Sequence, residues 1–255
     1  APGTNPAGMG VGTWWPNYTG TVWSFNGTIY VNETLNPTTP GVGYWMKHAG
    51  VNTTYSYTDI QIVGHDPIPA HAGWNIIGVY ENSVATSGLT TNPTGLITGS
   101  QWGFNGTVYV NVTAGTLEPG YGYWVKLLPG CVGCDIIIPE TMAKGSGEVV
   151  EYFKSDWGKI TMTDAAGISY TLYAVKGEVD LDQYEMPPVP PAGSFDIRFS
   201  SGRVAEDINS SVQTIDMSGI TYPLTVRVEG MDIRLQDVTG KALNQNLKSG
   251  EEIVI

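Results

Sequence analysis

The chain has 255 residues, and 24 acidic side chains against 12 basic ones leave a formal charge of −12. That balance excludes nucleic acid as a partner, because a phosphate backbone requires a positive footprint. Apolar residues make up 41%, enough to fill a core and exclude global disorder, and no apolar run is long enough to span a membrane.

The opening APGTNPAG reads as a processed or internal start rather than a signal peptide. Trp14 and Trp15 in GTWWPN have no aligned aromatic counterpart later in the chain, which makes them candidates for a surface contact. Residues 23–32 read WSFNGTIYVN, and residues 102–111 read WGFNGTVYVN. PGVGYWMK at 40–47 likewise returns as PGYGYWVK at 119–126, so both phrases share one offset of 79 residues. A gapless match at that spacing predicts a duplication, too long for a solenoid turn and right for two tandem small β modules. Asn-Gly at 26–27 and 105–106 predicts type I′ hairpin turns, in which both central residues have positive φ. PGxGYW predicts a turn leading into a strand, with glycines that let a neighbouring strand come close.

HDPIPAH at 65–71 connects the copies; His65, Asp66 and His71 match no regular metal spacing. The second copy then has a lead-in strand, GWNIIGVY at 73–80. Its counterpart in the first copy would precede Ala1, so the first copy is expected to lack its opening strand. Cys131 and Cys134 in GCVGCD form a local disulfide or remain two free thiols; no further Cys or His pair completes a zinc site. Strand-like segments flank them, unlike the helix that a redox CxxC normally opens. TMAKGSGE at 141–148 reads as a linker. After it come EVVEYF, KITMT, ISYTLYAV, SFDIRF, VQTIDM, YPLTVRV, MDIRLQD and EEIVI, divided by turn clusters and a stiff MPPVPPAG loop. The expected fold is all-β: two tandem modules at 1–66 and 67–140, then an Ig-like β-sandwich at 141–255.

GWNIIG, the aromatic-NG hairpin and LEPGYGYWVK resemble modules that lie just upstream of the sorting domain in bacterial type IX secretion cargo proteins. ITMTDAAGISYTLY, YEMPPVPPAGSFDIRFSSGR and GMDIRLQDVTGKALNQNLKSGEEIVI resemble the sandwich that follows those modules. PPVPPAGSFDIRFSS is the most specific piece, and the resemblance covers about residues 20–255. It implies export to the bacterial cell surface or beyond, with a C-terminal sorting domain that is removed and that this chain stops short of. It implies no enzymatic activity.

The residues themselves give no catalytic reading either: there is no nucleophile elbow and no phosphate-binding glycine loop. Asp180, Asp182 and Glu185 read as a solvated loop. No cofactor and no metal are expected. Seven sequons, at Asn17, Asn26, Asn32, Asn52, Asn105, Asn111 and Asn209, are candidates for covalent glycans. Asn-Gly-Thr also makes a good hairpin turn, which offers a structural explanation for Asn26 and Asn105. Trp23, Trp45, Trp102 and Trp124 recur at matched positions, as packing within each module requires.

The expected function is that of a non-enzymatic secreted structural protein, a subunit of an extracellular filament or surface layer. Copies would join head to tail by β-strand complementation, another subunit supplying the missing strand. Glu251, Glu252, Ile253, Val254 and Ile255 are the candidate donated strand. The alternative is a monomeric stalk, or a carbohydrate-binding or adhesin module, from a larger type IX-secreted protein.

Overall fold

The structure is a computed structural model in which residues 3–5, 7–49, 55–59, 61–62, 64–139 and 152–255 are described. Asn52 and the 141–148 linker lie outside those residues. The protein is all-β, with 41% strand and 5% helix. It divides into two compact units, residues 1–104 with 110–149, and residues 105–109 with 150–255. Both sequence copies fall largely in the first.

In that unit β1 (Tyr18–Phe25), β2 (Tyr30–Asn32) and β3 (Trp45–His48) form a sheet in the order β2-β1-β3. A second sheet, β6-β5-β7-β4, contains β4 (Gly73–Gly78), β5 (Ile97–Phe104), β6 (Tyr109–Asn111) and β7 (Gly122–Leu127). β1 and β5 correspond residue for residue at the 79-residue offset. Each slips register against its neighbour at the same place, between Thr19 and Trp23 and between Thr98 and Trp102. Gly20 and Gly99 have φ of 71° and 62° inside those slips, the left-handed conformation that a glycine bulge uses.

The Asn-Gly loops differ from the expected type I′ turn. Gly27 and Gly106 have positive φ, but neither asparagine does. Instead Asn26 Oδ1 accepts from the amides of Thr28 and Ile29, and Asn105 Oδ1 from those of Thr107 and Val108. The side-chain carbonyl holds a four-residue loop, so only the glycine needs the left-handed region.

β7 is buried on both faces. Tyr123, Val125 and Leu127 enter a cluster with Ile77, Val84, Leu117, Cys134 and Ile136. Trp124 points the other way, level with Trp102 on β5 and Ile76 on β4. That second face meets the first copy reciprocally: Phe25 lies 5.2 Å from Trp124, and Trp45 lies 4.6 Å from Phe104. Phe25 and Phe104 are equivalent positions, as are Trp45 and Trp124, so the copies meet through a quasi-two-fold seam of aromatic rings.

β4 borders both copies. It pairs with β7 over six residues, and on its other side Val42 bridges Ile77. Gly43 N donates to Ile76 O at 3.1 Å, and Gly78 N donates to Gly41 O at 2.8 Å. The expected lack of an opening strand is thus met in part within the same chain, and β1 has a neighbour on each side. Gly43 is what permits the approach: a Cβ there would stand 2.7 Å from Ile77 O, whereas one on its counterpart Gly122 would find nothing nearer than 3.6 Å.

The second unit has a five-stranded sheet, β11-β9-β8-β13-β16, and two strand pairs, β10-β12 and β14-β15. In chain order these strands are β8 (Gly158–Thr163), β9 (Ser169–Ala174), β10 (Asp196–Phe199), β11 (Ala205–Glu206), β12 (Ile215–Ser218), β13 (Thr225–Glu229), β14 (Ile233–Gln236), β15 (Asn244–Leu247) and β16 (Glu252–Val254). Strict alternation in β8 sends Ile160 and Met162 inward. The proline loop is anchored by Arg198, which is buried, holds Asp196 through two bonds of 2.6 and 2.7 Å, and donates to Pro187 O at 2.7 Å. EVVEYF is not a strand over its described part, Tyr152 and Phe153.

Two predictions follow from this geometry. Gly43→Ala lowers stability in chemical denaturation by about 1–3 kcal/mol, as overpacking against backbone does, while Gly122→Ala costs less than about 1 kcal/mol. Equal costs would show that the first copy does not press on β4. In the β14–β15 turn, the Thr239 hydroxyl and the Leu243 amide hold the Asp237 carboxyl down at about 2. A lowered value stabilises the turn above the usual carboxylate range, and that contribution fades as pH falls through about 2. A carboxyl NMR titration of Asp237 with an ordinary midpoint would contradict this.

Candidate functional site: an open sheet edge and the repeated sequons

The C-terminal residues are not a strand held out for another subunit. Glu252, Ile253 and Val254 pair antiparallel with Arg227, Val226 and Thr225 of β13. Val228 N donates to Glu251 O, and Ile255 and Leu224 exchange both of their bonds. Apolar alternation opposite Val226 and Leu224, both buried, recruits this segment into its own sheet. This corrects the expectation of a donated strand at Glu251–Ile255.

What the segment forms instead is an edge. β16 ends the five-stranded order, and among the described residues no strand pairs with its outer side. Since Glu251 and Ile255 direct their bonds at β13, alternation turns the N–H and C=O groups of Glu252 and Val254 outward. Ile253 and Ile255 are only half-buried at the rim of the core, and the Val254 side chain is 60% exposed. Arg227 lies 3.2 Å from Glu229 and 4.0 Å from Glu252; these pairs are exposed and contribute little.

The sequons turn out to be structural at more positions than the hairpin tips. Asn32 Oδ1 accepts from Thr34 N, and Thr34 Oγ1 accepts from Val22 N. Asn111 Oδ1 accepts from Thr113 N, and Thr113 Oγ1 from Gln101 N, so both copies tie this turn to the central strand identically. Asn111 Nδ2 is buried, so a glycan there would require the turn to open. Asn17, Asn26, Asn32, Asn105 and Asn209 are exposed.

Trp14 is not a surface contact. It is 3% exposed and packs edge-on against Tyr57 at 5.2 Å. The sequence does not signal this burial, because the second copy lacks a counterpart. Trp15 is half-buried, 6.5 Å from Tyr44.

A disulfide joins Cys131 to Cys134, both inside the apolar cluster of the second copy. His65 does not converge on a site with Asp66 and His71: its Nε2 lies 2.9 Å from a Glu81 oxygen, and its ring stacks on Tyr80. Burial raises the Tyr80 phenol, assisted by the charges of Asp66 and Glu81. Desolvation is the largest single influence on Glu81 and works against its ionisation, but the hydrogen bonds from His65 and from the Glu81 amide, with the charge of His65, together outweigh it and lower the carboxyl. Asp180 caps a short 3-10 turn, and Asp182 pairs with Arg203 at 2.7 Å. Among the described residues no group of His, Cys, Asp and Glu is placed to hold a metal ion, and no helix is long and apolar enough to cross a membrane.

Neither a family model nor a curated protein nor a solved structure matches the chain.

Thr113→Val removes the acceptor from the buried Gln101 amide. In protein made by a host without N-glycosylation it lowers stability by about 1–3 kcal/mol, read from denaturation midpoints. An unchanged midpoint would show that the Asn111–Thr113 turn owes nothing to these bonds.

Proposed function

We propose that the chain is a non-enzymatic structural protein of the bacterial cell exterior, a subunit of a filament or surface layer joined by β-strand pairing. In this reading the two copies are tandem β modules, and the rest of the chain is an Ig-like sandwich. The observation that carries it is the β16 edge, where the amides of Glu252 and Val254 face outward beside two half-covered isoleucines. Such an edge is a template for another strand. The resemblance of the modules to type IX secretion cargo supports an exported place. The recurring tryptophans support a structural role, since Trp45 and Trp124 are occupied in the seam between copies.

A second reading, a monomeric stalk or adhesin module, is favoured by the bonds with β4, in which Gly43 donates and Gly41 accepts. They partly cover, inside one chain, the edge that strand complementation between subunits was expected to fill.

Negative-stain imaging with sedimentation of purified protein over a concentration series distinguishes the two. Assembly gives filaments, sheets or a mass that rises with concentration; a single 27.4-kDa species throughout establishes the stalk.

A further inference from the structure

We infer that the outer edge of β16 pairs with β16 of a second copy, antiparallel and centred on Ile253. The inference rests on the assembly reading and names the surface and the register that reading leaves open.

The register follows from which groups point outward. Only Glu252 and Val254 present N–H and C=O groups to an incoming strand. An antiparallel partner using the same strand can align these residues in three ways. Centring on Glu252 sets two carboxylates opposite each other, and like charges directly opposed are destabilising. Centring on Val254 leaves Glu252 without an opposite residue in β16. Centring on Ile253 sets each Glu252 against a Val254, forms two hydrogen-bonded pairs, and keeps all glutamates from facing one another directly. Glu251 then lies opposite Ile255.

This register also uses the apolar surface that the subunit leaves half-covered. Ile253 projects to the core side of the sheet, beside Val226, and would meet its own counterpart across the two-fold axis. Because its neighbours make the inter-strand bonds, the Ile253 pair is the closely spaced, non-hydrogen-bonded kind. The joined sheet would run continuously through both copies. A contact of this kind is isologous: it closes a pair and leaves other surfaces for a second contact, so a filament containing it alternates two junctions. With a few hydrogen bonds and little area, it is a weak contact that forms at high concentration.

The test uses the full chain. Val254→Pro removes an outward donor without touching a bond to β13, and edge strands tolerate proline. It is expected to weaken self-association in sedimentation by about tenfold or more, with an unchanged melting curve, because two inter-strand bonds vanish per pair. Ile253→Cys is the second variant, in a protein whose native cysteines are already joined. Mild oxidation should link it into dimers, since non-hydrogen-bonded pairs fall within disulfide reach, while Val254→Cys should stay unlinked because Val254 faces Glu252. If the wild type assembles but Ile253→Cys does not cross-link, or Val254→Pro associates normally, the β16 contact is wrong and the assembly reading stands. A wild type that stays monomeric at every concentration overturns both.

Discussion

The first unit depends on one shared strand. β4 is the opening strand of the second copy by sequence, yet it gives backbone bonds to both copies: six paired residues with β7 and a short bridge to Val42. The two sides are unequal because the first copy approaches through glycines. Gly43 places its main chain where a side chain would collide with Ile77, and Gly41 does the same against Ile68 and the Tyr80 hydroxyl. Close approach at this corner brings the aromatic faces of both sheets together. Phe25 reaches Trp124 and Trp45 reaches Phe104 only if the corner is tight. Aromatic seam and glycine corner are therefore one constraint, and the repeated tryptophans follow from it.

Duplication explains why this arrangement is available. Two copies of one aromatic face are self-complementary whenever a two-fold arrangement can be reached, as in a homodimer. Here the connector Ile68–Ala70 and β4 hold the copies at high effective concentration, so a pairing too small to be stable between free chains can persist within one. The matched turns at Asn32–Thr34 and Asn111–Thr113 belong to the same logic. Each ties a short outer strand to the central one through side-chain oxygens, which a three-residue strand with few ladder bonds requires.

Much of this was legible in the sequence, because period-2 alternation and turn residues are local signals. GWNIIG, KITMT, ISYTLY and SFDIRF all contain strands close to where they were expected. NQNL at 244–247 was not, since three of its four residues are polar and exposed; its pairing with β14 is imposed by the Asp237 turn. The type I′ turn failed for a related reason, as the asparagine side chain competes with the backbone for the loop amides. The candidate site was legible by composition but not by role. EEIVI reads as a β-prone segment whether it is donated or retained, and only the register against Leu224 and Val226 decides.

The charge of the chain bears on what such an edge can do. A chain with a formal charge of −12 repels its own copies, and two glutamates on the terminal segment add to that repulsion where the edge is open. Charged residues on edge strands are a common means of keeping sheets from joining indiscriminately. Backbone bonds and isoleucine burial are short-ranged and almost insensitive to salt, whereas the repulsion is screened over about 8–10 Å at physiological ionic strength. The two effects act on different scales, so the proposed contact would be opposed at a distance and favoured only at close range. Screening lowers the barrier to encounter without weakening the bonds that follow. If copies do pair through it as proposed, a charged, short, half-covered edge is a conditional junction, closed to chance collisions in dilute, low-salt solution and open at high concentration and higher salt.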